Sequence, residues 1–272
     1  MPKISVIMGI YNMHKNKTIA KEAIDSILNQ SYKNFEFIIC DDGSTDNTYD
    51  LVESLTLHDP RVKIIKNKKN QGLAYSLNEC LKISTGEYIA RMDADDMSHL
   101  NRFEKQVTFL DNHLEYAIVG SDVILFDGTE NWGYRKMPTE PLRKDFLFRI
   151  PFMHPTILIR RTVLEELNGY NIDKETLRCE DYDLFMRMYG LNYIGYNLNE
   201  GLFKVRENPE AYKRRKYKYR IDEAKVRYKG YKMLGLGTIG TIYSLKPLIV
   251  GLIPSNILAY LRNENKKADV NR

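Results

Sequence analysis

Cysteine is scarce in this chain, with three among its 272 residues, at positions 40, 80 and 179. The number is odd, the three residues are far apart in sequence, and none belongs to a Cys-x-x-Cys pair or a Cys/His cluster. The sequence therefore suggests neither a disulfide framework nor a zinc site. A reducing cytoplasm is the compartment that suits such a chain best.

Long apolar runs are also missing. The first apolar run, residues 4–10, lacks the length and cleavage pattern of a signal peptide, so we expect a protein that stays inside the cell. Internal repeats and low-complexity tracts are absent, and 43% hydrophobic with 28% charged residues is typical of a globular protein. A chain of 272 residues is long enough for one large domain, or for one domain with an appendage.

The excess of positive charge is confined to one stretch. Residues 211–232 contain ten Lys or Arg and two acidic residues, whereas the whole chain carries a net charge of +5. The rest of the chain is therefore slightly acidic. Basic residues interleaved with tyrosine can bind nucleic acid, but here an apolar segment follows, residues 233–261, and we expect no nucleic-acid partner.

This basic and then apolar tail leaves two interpretations open. Its uncharged pieces fall short of the ~20 residues that span a bilayer, and a basic helix followed by apolar helices fits peripheral contact with an anionic membrane on its cytoplasmic face. Two helices that pack back on the preceding domain fit the same pattern. We place the catalytic domain at residues 1–210 and the helical tail at residues 211–272.

Hydrophobic periodicity in the first hundred residues predicts strands that alternate with helices. Residues 3–10, 35–40 and 62–66 are continuous apolar or β-branched runs, the pattern of strands buried on both faces. Amphipathic helices are predicted between them, and a fourth strand at 87–92 follows a third helix. This alternation predicts an α/β fold with a mostly parallel central sheet and helices on both faces.

The second half of the chain is less regular. We predict helices at 102–113, 141–150 and 180–190, strands at 117–126 and 156–161, and a loop at Trp132–Tyr134. This loop has two interpretations, a surface loop or an aromatic platform for an acceptor sugar.

Acidic residues follow two of the predicted strands. Asp41 and Asp42 come after the second strand, and Asp93, Asp95 and Asp96 come after the fourth. In such sheets ligands bind beyond the carboxyl ends of the strands. The cluster of Asp93, Asp95 and Asp96 suits Mg²⁺ or Mn²⁺, which prefer oxygen ligands and substrate phosphates. A solvated acidic turn before the next helix is the simpler alternative.

A further acidic pair, Glu180 and Asp181, opens the helix predicted at 180–190. A carboxylate that reaches a substrate hydroxyl can act as a general base. Acidic residues are also favoured at helix N-termini for electrostatic reasons alone.

Five segments together resemble family 2 glycosyltransferases, which have the GT-A type nucleotide-diphospho-sugar transferase fold. In order along the chain they read "ISVIMGIYN", "SILNQSYKNFEFIICDDGSTDNT", "NQGLAYSLNECLKISTGEYIARMDADD", "MHPTILIRR" and "CEDYDLFMR". The resemblance covers roughly residues 3–205. Their common order and spacing is far more specific than any single segment.

The resemblance implies a site for a nucleotide-diphosphate sugar. On the donor side, Tyr11 and Asn12 would contact the nucleoside, and Asp42, assisted by Asp41, would read uracil. His154 would face the cleft. The residues that would hold a divalent metal, Mn²⁺ or Mg²⁺, against the donor diphosphate are Asp93, Asp95 and Asp96.

The activity implied is that of an inverting transferase of the hexosyltransferase type. Asp181, supported by Glu180, would take the proton of an acceptor hydroxyl while the nucleotide diphosphate departs. The acceptor would be a glycan or a lipid-linked glycan, as in bacterial members that build capsule, exopolysaccharide or lipopolysaccharide. The Gln-x-x-Arg-Trp motif of the processive members is absent from the sequence, which favours addition of a single sugar.

Two departures and two alternatives accompany this interpretation. Gly9 and Ile10 replace the small hydroxyl or proline residues usual before the Tyr-Asn pair, so nucleoside contacts from these two side chains are not expected. A nucleotidyltransferase of the same fold would need a Gly-rich segment with Arg and Lys near the N-terminus. A non-catalytic nucleotide-sugar-binding module would tolerate loss of Asp181, whereas a transferase would not.

Overall fold

The computed structural model describes residues 3–207 and 217–253. The strands in these ranges are β1 (Ile4–Ile10), β2 (Phe35–Asp41), β3 (Val62–Lys66), β4 (Tyr88–Asp93), β5 (Met97–Ser98), β6 (Tyr116–Phe126), β7 (Asn131–Arg135), β8 (Leu158–Arg160) and β9 (Ile194–Arg206). The helices are α1 (Lys17–Leu28), α2 (Thr48–Thr56), α3 (Leu73–Ile83), α4 (Arg102–Asn112), α5 (Arg161–Glu166), α6 (Glu180–Gly190), α7 (Tyr217–Met233), α8 (Gly237–Ser244) and α9 (Lys246–Gly251).

The first four strands form the parallel part of the sheet, in the order β3-β2-β1-β4. This is the α/β alternation predicted from the sequence, and it is confirmed. The order reverses between β1 and β4, and such a switch point is where ligands bind in open α/β sheets.

Beyond β4 the sheet becomes mixed. β8 pairs antiparallel with both β4 and β6, β9 runs parallel to β6, and β5 and β7 add antiparallel edges. The complete sheet is therefore parallel at one end and mixed at the other.

Both faces of the sheet are covered by helices. Successive residues of a strand point to opposite faces, and Val6 and Met8 pack with α1, α2 and α4 whereas Ile7 packs with α3 and α6. This alternation produces the three layers predicted from the fully apolar strands.

Two predictions in the second half were wrong, and one strand was not predicted. Trp132–Tyr134 is not in a loop but in β7, which pairs with β6 through a hairpin where Asp127 Oδ1 accepts from the backbone N–H of Thr129 and Glu130. The segment 141–150 forms only a 3-10 helix at Arg143–Leu147, and Pro151, which directly follows the segment, disfavours helical backbone at its end. The long strand β9 was not predicted at all, because its polar residues break the apolar pattern.

The tail packs on the rest of the protein through α7. Gly230 lies so close to Met186 of α6 that an added Cβ would stand 2.2 Å from the Met186 sulfur. Tyr231 is buried at this contact, and its hydroxyl donates to the backbone oxygen of Phe146 at 2.8 Å. The proposed boundary at residue 210 lies outside the described residues.

Candidate active site

Strand register brings two acidic groups to the same sheet edge. β1 lies between β2 and β4, and Asp41 is opposite Ile10 while Asp93 is opposite Gly9. With strands about 4.8 Å apart, the two acidic strand ends lie roughly 10 Å from each other. The small Gly9 stands between them, at the switch point.

The loop after β2 is organised by Asp42. Its Oδ1 accepts from the Asn67 side chain at 2.8 Å and from the Gln71 backbone N–H at 2.9 Å, and its Oδ2 accepts from the Gly72 N–H at 2.8 Å. Both carboxylate oxygens are therefore occupied by the segment that leads into α3. Gly43 is required beside it, because φ is +67° and a Cβ would stand 2.4 Å from the Lys69 backbone.

Asp41 differs from its neighbour. Its Oδ1 accepts from the Ser44 N–H at 2.8 Å, whereas Oδ2 has no hydrogen-bond partner among the described residues. The Lys66 ammonium lies 3.7 Å from that oxygen. A buried acceptor without a hydrogen bond is costly, and Asp41, unlike Asp42, has one such oxygen.

Tyr11 and Asn12 follow β1 on the same edge. Asn12 has a φ of +50°, its backbone N–H donates to the Ser44 hydroxyl and its side-chain oxygen accepts from the Thr45 N–H, both at 3.0 Å. Asn12 thus joins β1 to the Asp41–Asp42 loop. Tyr11, the residue before Asn12, is 43% exposed.

Asp93 ends β4, and Asp95 and Asp96 lie in the turn between β4 and β5. One carboxylate oxygen of each lies within 4.8 Å of the other two. Burial raises the pKa of Asp96 well above its usual range, and the charges of Asp93 and Asp95 add to the shift. Asp95 is exposed as a residue, yet loss of water around its carboxylate and the charge of Asp93 raise its pKa to about 6.

This donor set fits a divalent cation. Three carboxylates held this close disfavour one another's charged forms, and a Mg²⁺ or Mn²⁺ ion would remove that repulsion. Asp96 is the least available of the three, because its Oδ1 accepts from the Arg206 backbone N–H at 2.7 Å. Asp93 and Asp95 are the more accessible ligands.

Sequence reasoning missed Arg91, two residues before Asp93. Its guanidinium is buried and pairs with the Asp93 carboxylate, while its Nε has no hydrogen-bond partner within the described part of the chain. The only sequence signal was an arginine inside an apolar strand. Such a residue is rarely buried unless it is paired.

A cleft of about 630 Å³ adjoins this edge of the sheet. Arg91 and Asp93 line it, and so do Glu180 and Asp181. The two acidic groups, almost ninety residues apart in sequence, therefore face one space. Asp41, Asp42, Tyr11 and Asn12 are not among its lining residues, although Gln71 and Gly72, which Asp42 holds, are.

Glu180 and Asp181 occupy the first turn of α6. Burial raises the pKa of Glu180 to about 7, and the charge of Asp181 adds to the shift. A carboxyl group with a pKa near neutral pH can both release and accept a proton there. Such a poise is what a general base needs.

His154 lines the same cleft, in a short 3-10 helix. Its Nε2 lies 2.8 Å from the Tyr170 hydroxyl. Burial, and then the charge of Arg91, hold the pKa of His154 well below its usual range. The ring is therefore neutral and contributes hydrogen bonding rather than positive charge.

Within the described ranges, 3–207 and 217–253, helices of sufficient length and hydropathy to cross a membrane are absent.

The chain is similar in sequence to several known proteins. The sequence model described as glycosyl transferase family 2 matches residues 5–167. The chain is 45% identical over 258 residues to a Bacillus subtilis protein named as a glycosyltransferase, EpsE, covering 94% of this chain and 92% of that one. It is 30% identical to the Escherichia coli enzyme WfaP, named UDP-Glc:alpha-D-GlcNAc-diphosphoundecaprenol beta-1,3-glucosyltransferase, covering 75% and 78% of the two chains.

Solved structures show the same fold. TarS from S. aureus in complex with UDP superposes with a TM-score of 0.67 at 22% identity, covering 92% of this chain and 70% of that one. The mannosyltransferase PcManGT from Pyrobaculum calidifontis, in complex with GDP-Man and Mn²⁺, gives a TM-score of 0.63 at 17% identity, covering 98% and 84%. The fold, the acidic edge and the family match agree: the chain belongs to glycosyltransferase family 2 and is a glycosyltransferase with the GT-A type fold.

Proposed function

We propose that the protein is an inverting transferase that moves one sugar from a UDP-sugar to a hydroxyl of a lipid-linked glycan, in the synthesis of a cell-surface polysaccharide. The observation that carries this proposal is the shared cleft, which is lined by Asp93 and also by Glu180 and Asp181. Two relatives support the substrates: TarS binds UDP, and WfaP is named for a UDP-glucose donor and a diphosphoundecaprenol-linked acceptor.

On the donor side, the chain's own residues would bind and orient the nucleotide. Tyr11 would pack on the base, and the open Oδ2 of Asp41 would accept the imide N–H of uracil, with Asp42 holding the loop beneath. Asp93 and Asp95 would hold a divalent cation, with Asp96 beside them. That ion would supply positive charge against the departing diphosphate.

On the acceptor side, Asp181 would take the proton of the attacking hydroxyl. The hydroxyl oxygen forms a bond to the anomeric carbon, the bond from that carbon to the diphosphate oxygen breaks, and UDP leaves with the electron pair. A single displacement of this kind inverts the anomeric centre. Glu180 would set the charge of the pair and so the pH at which Asp181 accepts the proton.

We further propose that the tail touches an anionic membrane. Five aliphatic side chains of α8, α9 and their flanks are more than half exposed, namely Ile239, Ile242, Leu245, Ile249 and Leu252. Exposed Lys232 and Lys246 lie in the same segment. An apolar surface with basic neighbours complements the interface of an anionic bilayer, where a lipid-linked acceptor would also lie.

Donor binding and turnover test the proposed transferase activity. UDP-, GDP- and dTDP-sugars are titrated against the wild type, Asp95→Ala and Asp181→Asn, with and without Mn²⁺, and donor hydrolysis is followed. One UDP-sugar should bind in a metal-dependent way, Asp95→Ala should weaken that binding roughly 100-fold, and Asp181→Asn should bind normally with turnover reduced about 100-fold or more.

The control is Asp50→Ala, at an exposed acid of α2. This variant should leave binding and turnover unchanged. The proposal fails if nucleotide sugars do not bind under any of these conditions. Full activity of Asp181→Asn would instead remove the role assigned to the base.

A further inference from the structure

The tail helix α7 contributes a side chain to the cleft. Tyr219 lines the cleft beside Arg178, and the Arg178 guanidinium lies 5.6 Å from the centre of the Tyr219 ring. Arg178 directly precedes the turn that carries Glu180 and Asp181. The side of the cleft nearest to the acidic pair is therefore built jointly by the catalytic domain and the tail.

Arg178 is placed for contact with a ligand. It is exposed, it has a φ of +72°, and ion pairs to it are absent from the described residues. Left-handed backbone at a non-glycine residue is strained and concentrates at functional sites. A guanidinium stacked on an aromatic ring keeps its N–H edges available for a phosphate.

The rim next to this pair is apolar. Ile172 and Leu177 line the cleft and are exposed, on the same loop that carries Arg178. The aromatic ring, the cation and these aliphatic side chains all line the cleft that Glu180 and Asp181 line. This combination of groups matches a sugar, a phosphate and a hydrocarbon chain.

Several contacts hold α7 in place against this loop and α6. Glu175 of the loop pairs with Lys225 at 3.2 Å and with Lys229 at 2.6 Å. On the α6 side, the buried Arg227 guanidinium lies 4.7 Å from the centre of the Tyr182 ring, and the Tyr182 and Tyr231 hydroxyls lie 2.9 Å apart. The helix that carries Tyr219 is thus held by both the loop and α6.

We propose that Arg178 and Tyr219 form the acceptor subsite, an inference that rests on the proposed function. The Tyr219 ring packs on the acceptor sugar and the Arg178 guanidinium binds its diphosphate, so the sugar hydroxyl is directed to Asp181. The ligand class is a sugar linked through a diphosphate to a lipid.

The test uses N-acetylglucosamine linked through an α-diphosphate to an undecyl chain. Its binding to the UDP-loaded full-length protein is measured by titration, alongside binding of the UDP-sugar donor with Mn²⁺. Arg178→Ala should weaken probe binding about 10- to 100-fold, the loss expected for a charge-assisted hydrogen bond. Tyr219→Ala should weaken it about tenfold, whereas Tyr219→Phe, which keeps the ring, should not.

Donor binding separates this inference from the proposed function. Arg178→Ala and Tyr219→Ala should bind the donor like the wild type, and Tyr228→Ala, an exposed tyrosine of α7 away from the cleft, should behave normally toward both ligands. The acceptor subsite is overturned if the wild type does not bind the probe, if either alanine variant binds it normally, or if donor binding is lost in parallel. Failure of the wild type to bind any nucleotide sugar would overturn the proposed function instead.

Discussion

The proposed donor side, at the edge of the sheet, and the proposed acceptor side, in the adjoining cleft, are built in different ways. The donor side stands at the ends of neighbouring strands, where Asp41 and Asp93 are fixed by register on either side of β1. The acceptor side is assembled from a loop, the first turn of α6 and the tail helix α7. Backbone pairing fixes the first, whereas long-range side-chain contacts fix the second.

The two sides also differ in how negative charge is stabilised. On the donor side a buried arginine, Arg91, pairs with Asp93, and three carboxylates close together provide a place for a cation. On the acceptor side, burial raises the pKa of Glu180 to about 7, so the pair can gain and lose a proton. One side suits metal and phosphate, and the other suits proton transfer.

The largest effect on stability should come from removing the buried positive charge of Arg91. Arg91→Met leaves Asp93 without its partner among three acids, and we expect the free energy of unfolding to fall by about 3 kcal/mol in metal-free buffer, as for other broken buried pairs. Mn²⁺ should restore more stability to this variant than it adds to the wild type. Urea unfolding with and without Mn²⁺ measures both effects.

Lys3→Met is the matched control, because it breaks the more exposed pair with Asp111. It should change the free energy of unfolding by about 1 kcal/mol or less. Equal losses in the two variants would contradict the role given to Arg91.

Substitutions of the two adjacent acids of the donor loop should have separate effects, one on stability and the other on UDP recognition. Asp42→Ala removes the acceptor of three hydrogen bonds and should lower the free energy of unfolding by about 2 kcal/mol or more. Asp41→Asn should leave stability nearly unchanged but weaken UDP binding about tenfold, because one charge-assisted hydrogen bond to the base is lost. Thermal unfolding and UDP titration on both variants decide between this division and the reverse one.

Ionisation of the acidic pair on the acceptor side should determine the pH dependence of sugar transfer. Below its pKa of about 7, Glu180 is protonated, and its pair with Asp181 is less able to accept the proton of the acceptor. We therefore expect kcat to rise with pH, with a midpoint near that value. Glu180→Gln should abolish or displace this midpoint, and an unchanged profile in the variant would assign the ionisation to another group.

The smallest expected effect concerns the outer face of the tail. Ile242 and Ile249 are 68% and 64% exposed, and replacing both with serine should weaken binding to phosphatidylcholine vesicles that contain phosphatidylglycerol about tenfold. Leu57→Ser with Leu114→Ser, at two other exposed positions, is the control and should bind as the wild type does. Equal binding of all three proteins in a flotation assay would remove the membrane contact.

The same contrast explains how much could be predicted from the sequence. The strands that carry Asp41 and Asp93 are continuous apolar runs, so their pattern alone predicted both the sheet and the position of these acids at its edge. The strand β9 was missed because Asn197, Asn199 and Glu200 interrupt its apolar residues. Its pairing with β6 stabilises it as a strand, although its sequence lacks a continuous apolar pattern.

The separate roles of individual residues within the site could not be predicted from the sequence. No pattern distinguishes Asp41 from Asp42, since the difference lies in which oxygen already accepts a hydrogen bond from a loop thirty residues away. Tyr219 was likewise seen only as one tyrosine of a basic tail. Its position in the cleft depends on contacts of α7 with α6 and with Glu175.

The contact of α7 with α6 bears on how such enzymes diversify. The hydroxyls of Tyr182 and Tyr231 both donate to the backbone oxygen of Phe146, an acceptor that does not depend on side-chain identity. A tail of different sequence could therefore dock at the same place and present another residue where Tyr219 now stands. Exchange of the C-terminal segment between relatives would then change the acceptor that is used and leave the nucleotide-sugar donor as it was.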